Sequence, residues 1–236
     1  MNRLVQPLCD PEVPARETLG ERVTRELREL LISGRVAPGE KLSLRKVAEA
    51  LGVSMMPVRE AVSRLAADGA LEVLPGRAVH VPVLTLAQFR ELTRIRLVVE
   101  GFAAEEAARQ VDAAEMTVIG RFEEKFRLAA GQEPHDPAEL VAINREFHFA
   151  LYRAAGMTSL VEMIERLWLK AGPILNLDMR AEPARIKGGS AVQSHAGIVE
   201  ALRARDAVAA RAALQADISA AARHIEATGK LRSDEG

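Results

Sequence analysis

Residues 43–69, SLRKVAEALGVSMMPVREAVSRLAADG, decide the fold of the N-terminal part of the chain. Apolar side chains recur at helical spacing on both sides of Gly52, which predicts two helices separated by a short turn. Gly52 is expected to end the first helix and Ser54 to cap the second, whose first turn tolerates Pro57 because the missing N–H needs no helical partner there. Two helices joined by a turn of about four residues form a helix-turn-helix unit.

The residues on either side complete this unit. Thr18 and Glu21 match a capping box, which predicts the start of an earlier helix. Residues 71–74 and 78–81 alternate in polarity around a Pro-Gly-Arg turn and predict a two-stranded hairpin. Residues 18–82 are therefore expected to form a winged helix-turn-helix domain, and 1–17 a mobile arm.

The rest of the chain shows helical periodicity only. Six helices are predicted, over 86–109, 113–130, 137–155, 158–181, 189–204 and 206–228. They are expected to form a compact helical bundle over 85–228, followed by a polar tail, 229–236, that frays. The predicted fold class is mostly α, with an N-terminal winged helix-turn-helix and an all-α six-helix bundle.

Composition limits the classes of protein that fit. The formal net charge is −1, but residues 22–80 carry ten Lys and Arg against seven Asp and Glu, so the basic excess lies on the predicted winged domain. The longest run without a charged side chain has twelve residues, whereas a membrane helix needs about 20 apolar ones. The single cysteine, Cys9, suits a reducing compartment. We expect a cytoplasmic protein without a membrane partner.

Three motifs span the predicted winged domain: Gly34-x-x-x-Pro38-Gly39-Glu40-x-Leu42, Leu51-Gly52-Val53-Ser54-x-x-Pro57-Val58-Arg59-Glu60-Ala61 and Leu65-x-x-x-Gly69. They resemble the GntR family of bacterial transcription regulators. The resemblance implies a homodimer that binds an inverted repeat in double-stranded DNA, with the third helix in the major groove and the wing near the minor groove.

The resemblance also implies DNA contacts by Arg45, Ser54, Arg59 and the wing tip, Gly76-Arg77. The helical pattern agrees for Arg59 and Ser63, which lie opposite the apolar face of their helix and are free to reach a groove. An arginine suits guanine O6 and N7, and it suits phosphate equally well.

Met55 and Met56 depart from the pattern, because members of the family often have Arg-Thr at these positions. Two apolar side chains then point toward the groove, where they contact thymine methyl groups or read no base at all. The glycine that usually follows the wing arginine is Ala78 here. These departures concern the operator sequence rather than DNA binding itself.

Three motifs of the bundle are Arg96-x-x-x-Glu100, Asn144-Arg145-Glu146-Phe147-His148 and His195-Ala196-Gly197-Ile198-Val199-x-Ala201-Leu202. They resemble the FadR-like effector domain called FCD, which often holds a divalent metal. The resemblance implies that 85–228 are a helical effector-binding and dimerisation domain. The resemblance places the ligands at Asn144, His148, His195 and Asp217, with Asn where Asp is common and Asp where His is common. Nitrogen and oxygen donors suit Zn, Mn, Ni or Fe. Alternatively, these polar groups bond to one another without a metal.

Arg96 is the second polar anchor of the predicted bundle. In the family this arginine clamps a small organic acid beside the metal, and a bidentate carboxylate is its natural partner. The alternative is an internal ion pair with Glu100, one helical turn later. The sequence thus predicts a transcription regulator, expected to be a repressor that a small carboxylate releases or modulates. A metal-dependent hydrolase and a ligand-free architectural DNA-binding protein are the alternatives.

Overall fold

The computed structural model describes residues 17–33, 35–76, 78–133, 136–181 and 189–233, the side chains of 176–181 excepted. The N-terminal domain contains the elements α1 (Leu19–Ile32), β1 (Lys41–Leu42), α2 (Leu44–Leu51), α3 (Met55–Ala67), β2 (Glu72–Val73) and β3 (Val79–His80). The three strands form an antiparallel sheet in the order β1-β3-β2. The predicted winged helix-turn-helix is present.

The wing differs from the prediction by one strand. Lys41 pairs with His80, and Leu42 pairs with Val79, so β1 adds a third strand to the predicted hairpin. No strand was predicted for these residues, because two residues are too few to show alternation. The added strand fixes the wing to the segment that leads into α2.

Local signals explain where the helices of this domain begin and end. Thr18 and Glu21 form the predicted capping box of α1, and Gly52 ends α2 in the left-handed conformation at φ 63°. The prediction for Ser54 was wrong in one respect. It occupies the N-cap position of α3, but its side chain makes no capping hydrogen bond. Its hydroxyl is exposed.

The bundle comprises α4 (Leu86–Gln110), α5 (Ala113–Ala130), α6 (Pro137–Arg153), α7 (Thr158–Ala181), α8 (Ser190–Arg203) and α9 (Ala207–Ala227). Every predicted helix is present with bounds within two residues of those predicted. Helix α4 packs along α9, and α5 packs against α6 and α8. This arrangement turns one face of each of α4, α6, α8 and α9 toward a common interior.

The two domains share one apolar core. Helix α1 lies against α7, where Gly172 allows the backbones to meet: a Cβ added there would lie 3.2 Å from the Leu31 carbonyl oxygen. Arg145 on α6 also donates two hydrogen bonds to Glu29 on α1, at 2.5 and 2.7 Å. The helix that carries His148 is therefore joined directly to the first helix of the winged domain.

The tail is ordered as far as it is described, contrary to the expectation that it frays. Arg232 donates its backbone N–H to the Leu84 carbonyl oxygen and accepts from the Leu86 N–H, at 3.1 Å each. Leu231 packs in a small apolar cluster with Phe89. These contacts hold residues 231 and 232 against the start of α4.

Candidate functional site

The outer face of α3 presents polar and apolar side chains to solvent. The helix buries Val58, Ala61, Val62 and Leu65. Arg59 and Ser63 are exposed on the opposite side, as predicted from the helical pattern. Met56 is 64% exposed, whereas Met55 is half-buried and packs partly on the core. A recognition helix that enters a major groove needs this kind of exposed face.

A groove of about 620 Å³ runs between α3 and the wing. Its lining includes Met55, Arg59 and Ser63, so three of the predicted contact residues share one surface. Lys41 lines the same groove from β1 and is exposed. The sequence analysis missed Lys41, because its position depends on the unpredicted strand.

The remaining predicted contacts lie around this groove. Arg45 on α2 and Ser54 at the start of α3 are exposed. Gly76 is exposed at the tip of the wing and has a φ of 84°, a conformation that favours glycine. Arg77 lies outside the described residues.

Among the described residues of the bundle, five Arg, Glu, His and Asp side chains are buried: Arg96, Glu100, His148, His195 and Asp217. They come from α4, α6, α8 and α9. Buried groups of this kind need partners, because leaving a charge unpaired in a protein interior is strongly unfavourable. Their convergence is therefore a specific feature of this bundle.

Three of the four predicted metal ligands meet in the structure. One ligand atom from each of His148, His195 and Asp217 lies within 4.8 Å of the other two. The His148 Nε2 atom is 3.4 Å from the Asp217 Oδ2 atom. Asn144 is half-buried and lies one turn before His148 on α6, and its place in the ligand set stays a prediction.

Aromatic rings hold the two imidazoles in place. His195 stacks on Phe147 with the ring centroids 4.2 Å apart, and Phe126 lies 4.6 Å away. The His148 ring meets His195 edge to face at 5.2 Å. These contacts orient both rings in the buried interior of the bundle, where a cation is attracted strongly to the Asp217 carboxylate.

Arg96 pairs with Glu100, which was the alternative to effector contact. Its Nε donates to Oε1 at 2.6 Å and its Nη2 to Oε2 at 3.2 Å. Burial alone lowers the pKa of Arg96, but the Glu100 carboxylate outweighs this and raises the pKa overall. The guanidinium therefore stays charged inside the bundle.

Tyr152 links this ion pair to the imidazole cluster. Its hydroxyl donates to Glu100 Oε2 at 2.5 Å and lies 3.2 Å from His148 Nδ1. Burial and the neighbouring Glu100 carboxylate raise the pKa of Tyr152 well above its usual value, so the phenol keeps its proton. The sequence analysis missed Tyr152, although its i,i+4 spacing from His148 puts the two on one helical face.

Trp168 on α7 closes the space between the ion pair and the imidazoles. The Arg96 guanidinium carbon is 5.5 Å from its ring centroid, and the His148 ring is 5.6 Å away. The indole is 3% exposed, and its Nε1 finds no hydrogen-bond partner among the described residues. Trp168 is therefore a core residue, and its position in the core borders the candidate site.

The donor set fits a divalent metal. Metal–nitrogen and metal–oxygen bonds of about 2.0–2.2 Å put neighbouring ligands of one ion roughly 3–3.5 Å apart, and the His148–Asp217 separation of 3.4 Å has this value. Two imidazoles and one carboxylate suit a first-row metal and leave coordination positions for other oxygen ligands. The same three groups also have a metal-free arrangement, with a proton between His148 and Asp217.

Two family models match the two parts of this architecture. Residues 19–81 match the model described as "Bacterial regulatory proteins, gntR family", and residues 91–220 match the FCD domain. The chain belongs to the GntR family. Its N-terminal part is the DNA-binding domain of that family, and its bundle is an FCD domain.

Relatives of this GntR-family chain are transcription regulators. It is 34% identical over 186 residues to the HTH-type transcriptional regulator McbR of Escherichia coli K12, covering 78% of this chain and 82% of McbR. It is 26% identical over 200 residues to the HTH-type transcriptional repressor RspR of the same organism, covering 84% and 85%. The solved structure of E. coli McbR/YncC superposes with a TM-score of 0.82 at 31% identity, over 89% of this chain and 98% of that one.

Family membership decides between the classes of function. This chain is a GntR-family transcription regulator with an FCD domain, not an enzyme, which removes the hydrolase alternative. No helix in the described ranges is both long and apolar enough to span a bilayer.

Proposed function

We propose that this regulator is a repressor whose operator affinity is changed by a small carboxylate bound beside a divalent metal in the bundle. One observation carries the proposal: His148, His195 and Asp217 converge inside the bundle, and Tyr152 links His148 to the buried Arg96–Glu100 pair. The name of RspR, a transcriptional repressor, supports the direction of regulation. The proposed compartment is the cytoplasm, where the operator DNA would be.

DNA would lie across the groove between α3 and the wing. Arg59 is the proposed base reader, because it is exposed at the middle of α3 and lines that groove. The proposed supporting contacts come from the turn, the recognition helix and the wing: Arg45, Ser54, Met55, Met56, Ser63, Gly76 and Arg77. Lys41 adds a positive charge suited to a phosphate.

Replacing Arg59 with alanine is expected to weaken operator binding by roughly 1–3 kcal/mol and to relax base preference at one position in each half-site. The matched control is Arg223→Ala, because Arg223 is exposed on α9 of the bundle. Gel-shift titrations with operator variants measure both effects. Equal affinities for the two variants would remove Arg59 from the reading face.

Arg96 can bind an effector while it keeps its ion pair with Glu100. Glu100 occupies one edge of the guanidinium, through Nε and Nη2. No other carboxylate pairs with Arg96 in the described part of the chain, so the second edge offers two N–H donors to an anion. The acid's other oxygen atoms would then reach the cation held by His148, His195, Asp217 and Asn144.

The bundle also supports the proposed homodimer. Ile95, Val98 and Phe102 lie at i, i+3 and i+7 on α4 and are 42%, 60% and 38% exposed. These positions form an apolar stripe on one face of a helix, and such stripes mark protein interfaces. A two-fold dimer through α4 would present two recognition helices to an inverted repeat.

Val98→Glu is expected to convert the dimer to a monomer, because it puts a charge at the centre of the proposed interface. The control is Val208→Glu, since Val208 is 77% exposed on α9, outside the stripe. Light scattering after size exclusion gives the mass, which should fall to the 25.6 kDa of one chain only for Val98→Glu. If Val98→Glu and Val208→Glu both remain dimers, the interface lies elsewhere.

A thermal-shift screen of small organic acids, run with and without chelator, tests the effector site. The proposal expects at least one acid to raise the unfolding temperature, and chelation to remove the increase. A ligand-free architectural protein, the remaining alternative, predicts no acid-dependent increase in either condition.

A further inference from the structure

Four buried side chains form one hydrogen-bonded chain from α4 to the imidazole cluster. Arg96 donates to both oxygens of Glu100, Tyr152 lies 2.5 Å from Glu100 Oε2, and the Tyr152 hydroxyl oxygen lies 3.2 Å from His148 Nδ1. All four residues are at least nine-tenths buried. Hydrogen bonds in such an environment are strong, and each needs a matched donor and acceptor.

The donors and acceptors of this hydrogen-bonded chain of side chains have one consistent assignment. Arg96 only donates, and the Glu100 carboxylate paired with it only accepts. The single phenolic proton of Tyr152 therefore goes to Glu100. The Tyr152 oxygen can then only accept from the ring of His148, so Nδ1 of His148 carries a proton.

This assignment determines what His148 offers to the metal-ligand cluster. A neutral imidazole has one N–H, so a proton on Nδ1 leaves a lone pair on Nε2. That atom lies 3.4 Å from Asp217 Oδ2, which is also an acceptor. Two acceptors at this separation repel each other unless a metal ion or a proton lies between them.

We propose that Glu100 and Tyr152 are positioning residues, which hold His148 as the Nδ1–H tautomer so that Nε2 is presented to a divalent cation. The inference rests on the proposed metal site and adds residues that act through His148 rather than on the ion. It also gives Arg96 two tasks: one edge anchors Glu100 at the end of the chain, and the other edge faces the effector.

The role of Tyr152 has a measurable size. Hydrogen-bond partners of a metal-binding histidine contribute about 10–100-fold in metal affinity. Tyr152→Phe removes one hydroxyl and keeps the buried ring, so it breaks the chain with little change in packing. We expect its Kd for Zn²⁺ to rise by about 10–100-fold, while the far-ultraviolet circular dichroism stays that of the wild type.

The test uses full-length protein labelled with ¹⁵N in its five histidines and stripped of metal with chelator. Long-range ¹H–¹⁵N correlation spectra near neutral pH show which ring nitrogen is protonated, and the His148 signals are those lost in His148→Gln. We expect Nδ1 to be protonated in the wild type before and after Zn²⁺ is added and Nε2 to be without a proton once Zn²⁺ is bound, and we expect this fixed pattern to be lost in Tyr152→Phe. Zn²⁺ affinity is measured on the same samples by competition with a chromophoric chelator.

The control is Glu29→Gln, which breaks the Arg145–Glu29 pair on the same helix α6 and leaves Tyr152 and His148 in place. It should change neither the tautomer nor the Zn²⁺ affinity. Wild-type protein without a proton on His148 Nδ1, whether metal-free or loaded with Zn²⁺, would overturn the proposal. So would Tyr152→Phe with an unchanged tautomer and unchanged Zn²⁺ affinity. A wild type with the Nδ1–H tautomer that binds no Zn²⁺ contradicts the metal site and supports the hydrogen-bonded chain.

Discussion

Purified protein is expected to take up about one Zn²⁺ or Mn²⁺ per chain, and His148→Ala and His195→Ala are each expected to abolish this uptake. Either substitution removes one of the two imidazoles in a three-residue cluster, and the ligands that remain are too few to hold an ion tightly. At a free metal concentration about 1,000 times the Kd, the ion should stabilise the wild type by about 4.1 kcal/mol, a gain that both variants lose.

His80→Ala is the matched control for these variants. His80 lies on β3 in the winged domain, where its Nδ1 is 3.2 Å from the Gly39 carbonyl oxygen. Its loss should leave metal uptake unchanged. Elemental analysis and calorimetric titration measure the stoichiometry. Wild-type protein that contains no metal and takes up neither ion would favour the metal-free arrangement of His148 and Asp217.

A cognate carboxylate is expected to stabilise the metal-loaded protein by about 2.7 kcal/mol at a concentration about 100 times its Kd. Arg96→Lys should lose most of this gain. Lysine keeps a positive charge beside Glu100, so the buried pair is retained, but it lacks the planar fork that offers a second edge to an anion. Chelation should have the same effect as the substitution, since metal and arginine hold different parts of the acid.

Arg90→Lys controls for the change from arginine to lysine. Arg90 forms a bidentate pair with Glu226 at 3.2 and 2.8 Å, on the exposed surface of the bundle. The acid-dependent increase in the free energy of unfolding should be the same in Arg90→Lys as in the wild type. Denaturant melts with and without acid measure the free energy of unfolding. An equal gain in Arg96→Lys and wild type would place the acid away from Arg96.

The helices were predictable because their signals are local. The capping box of Thr18 and Glu21, the stop at Gly52 and the apolar periodicity of the bundle each act within a few residues. Strand β1 was not predictable in this way. Its two residues gain their structure from pairing with β3, which lies almost forty residues later in the chain.

The candidate site shows the same contrast between local signals and contacts that are distant in sequence. The predicted positions of His148, His195 and Asp217 came from motifs, and the structure brings them together. The i,i+4 spacing of Arg96 and Glu100 left an ion pair as the alternative to effector contact, and the structure contains that pair. The bond between Tyr152 on α6 and Glu100 on α4 joins two helices, so helical spacing alone could not reveal it.

The two domains must also communicate for the proposed regulation to work. The Arg145–Glu29 pair joins α6 to α1, and α1 packs against α7 beside Gly172. A ligand that moves α6 therefore acts on the winged domain through direct contacts. It changes operator affinity only if it prefers one of two arrangements of the dimer.

The most direct test is a fluorescence-anisotropy titration of a labelled operator duplex with full-length protein. It compares metal-loaded protein with and without the acid found in the thermal-shift screen, and repeats the comparison for Arg96→Lys and for chelated protein. The account predicts that the acid weakens operator affinity by about 5–150-fold in metal-loaded wild type, and by far less in the other two samples. An acid that binds the wild type tightly and leaves operator affinity unchanged would contradict the proposed regulation.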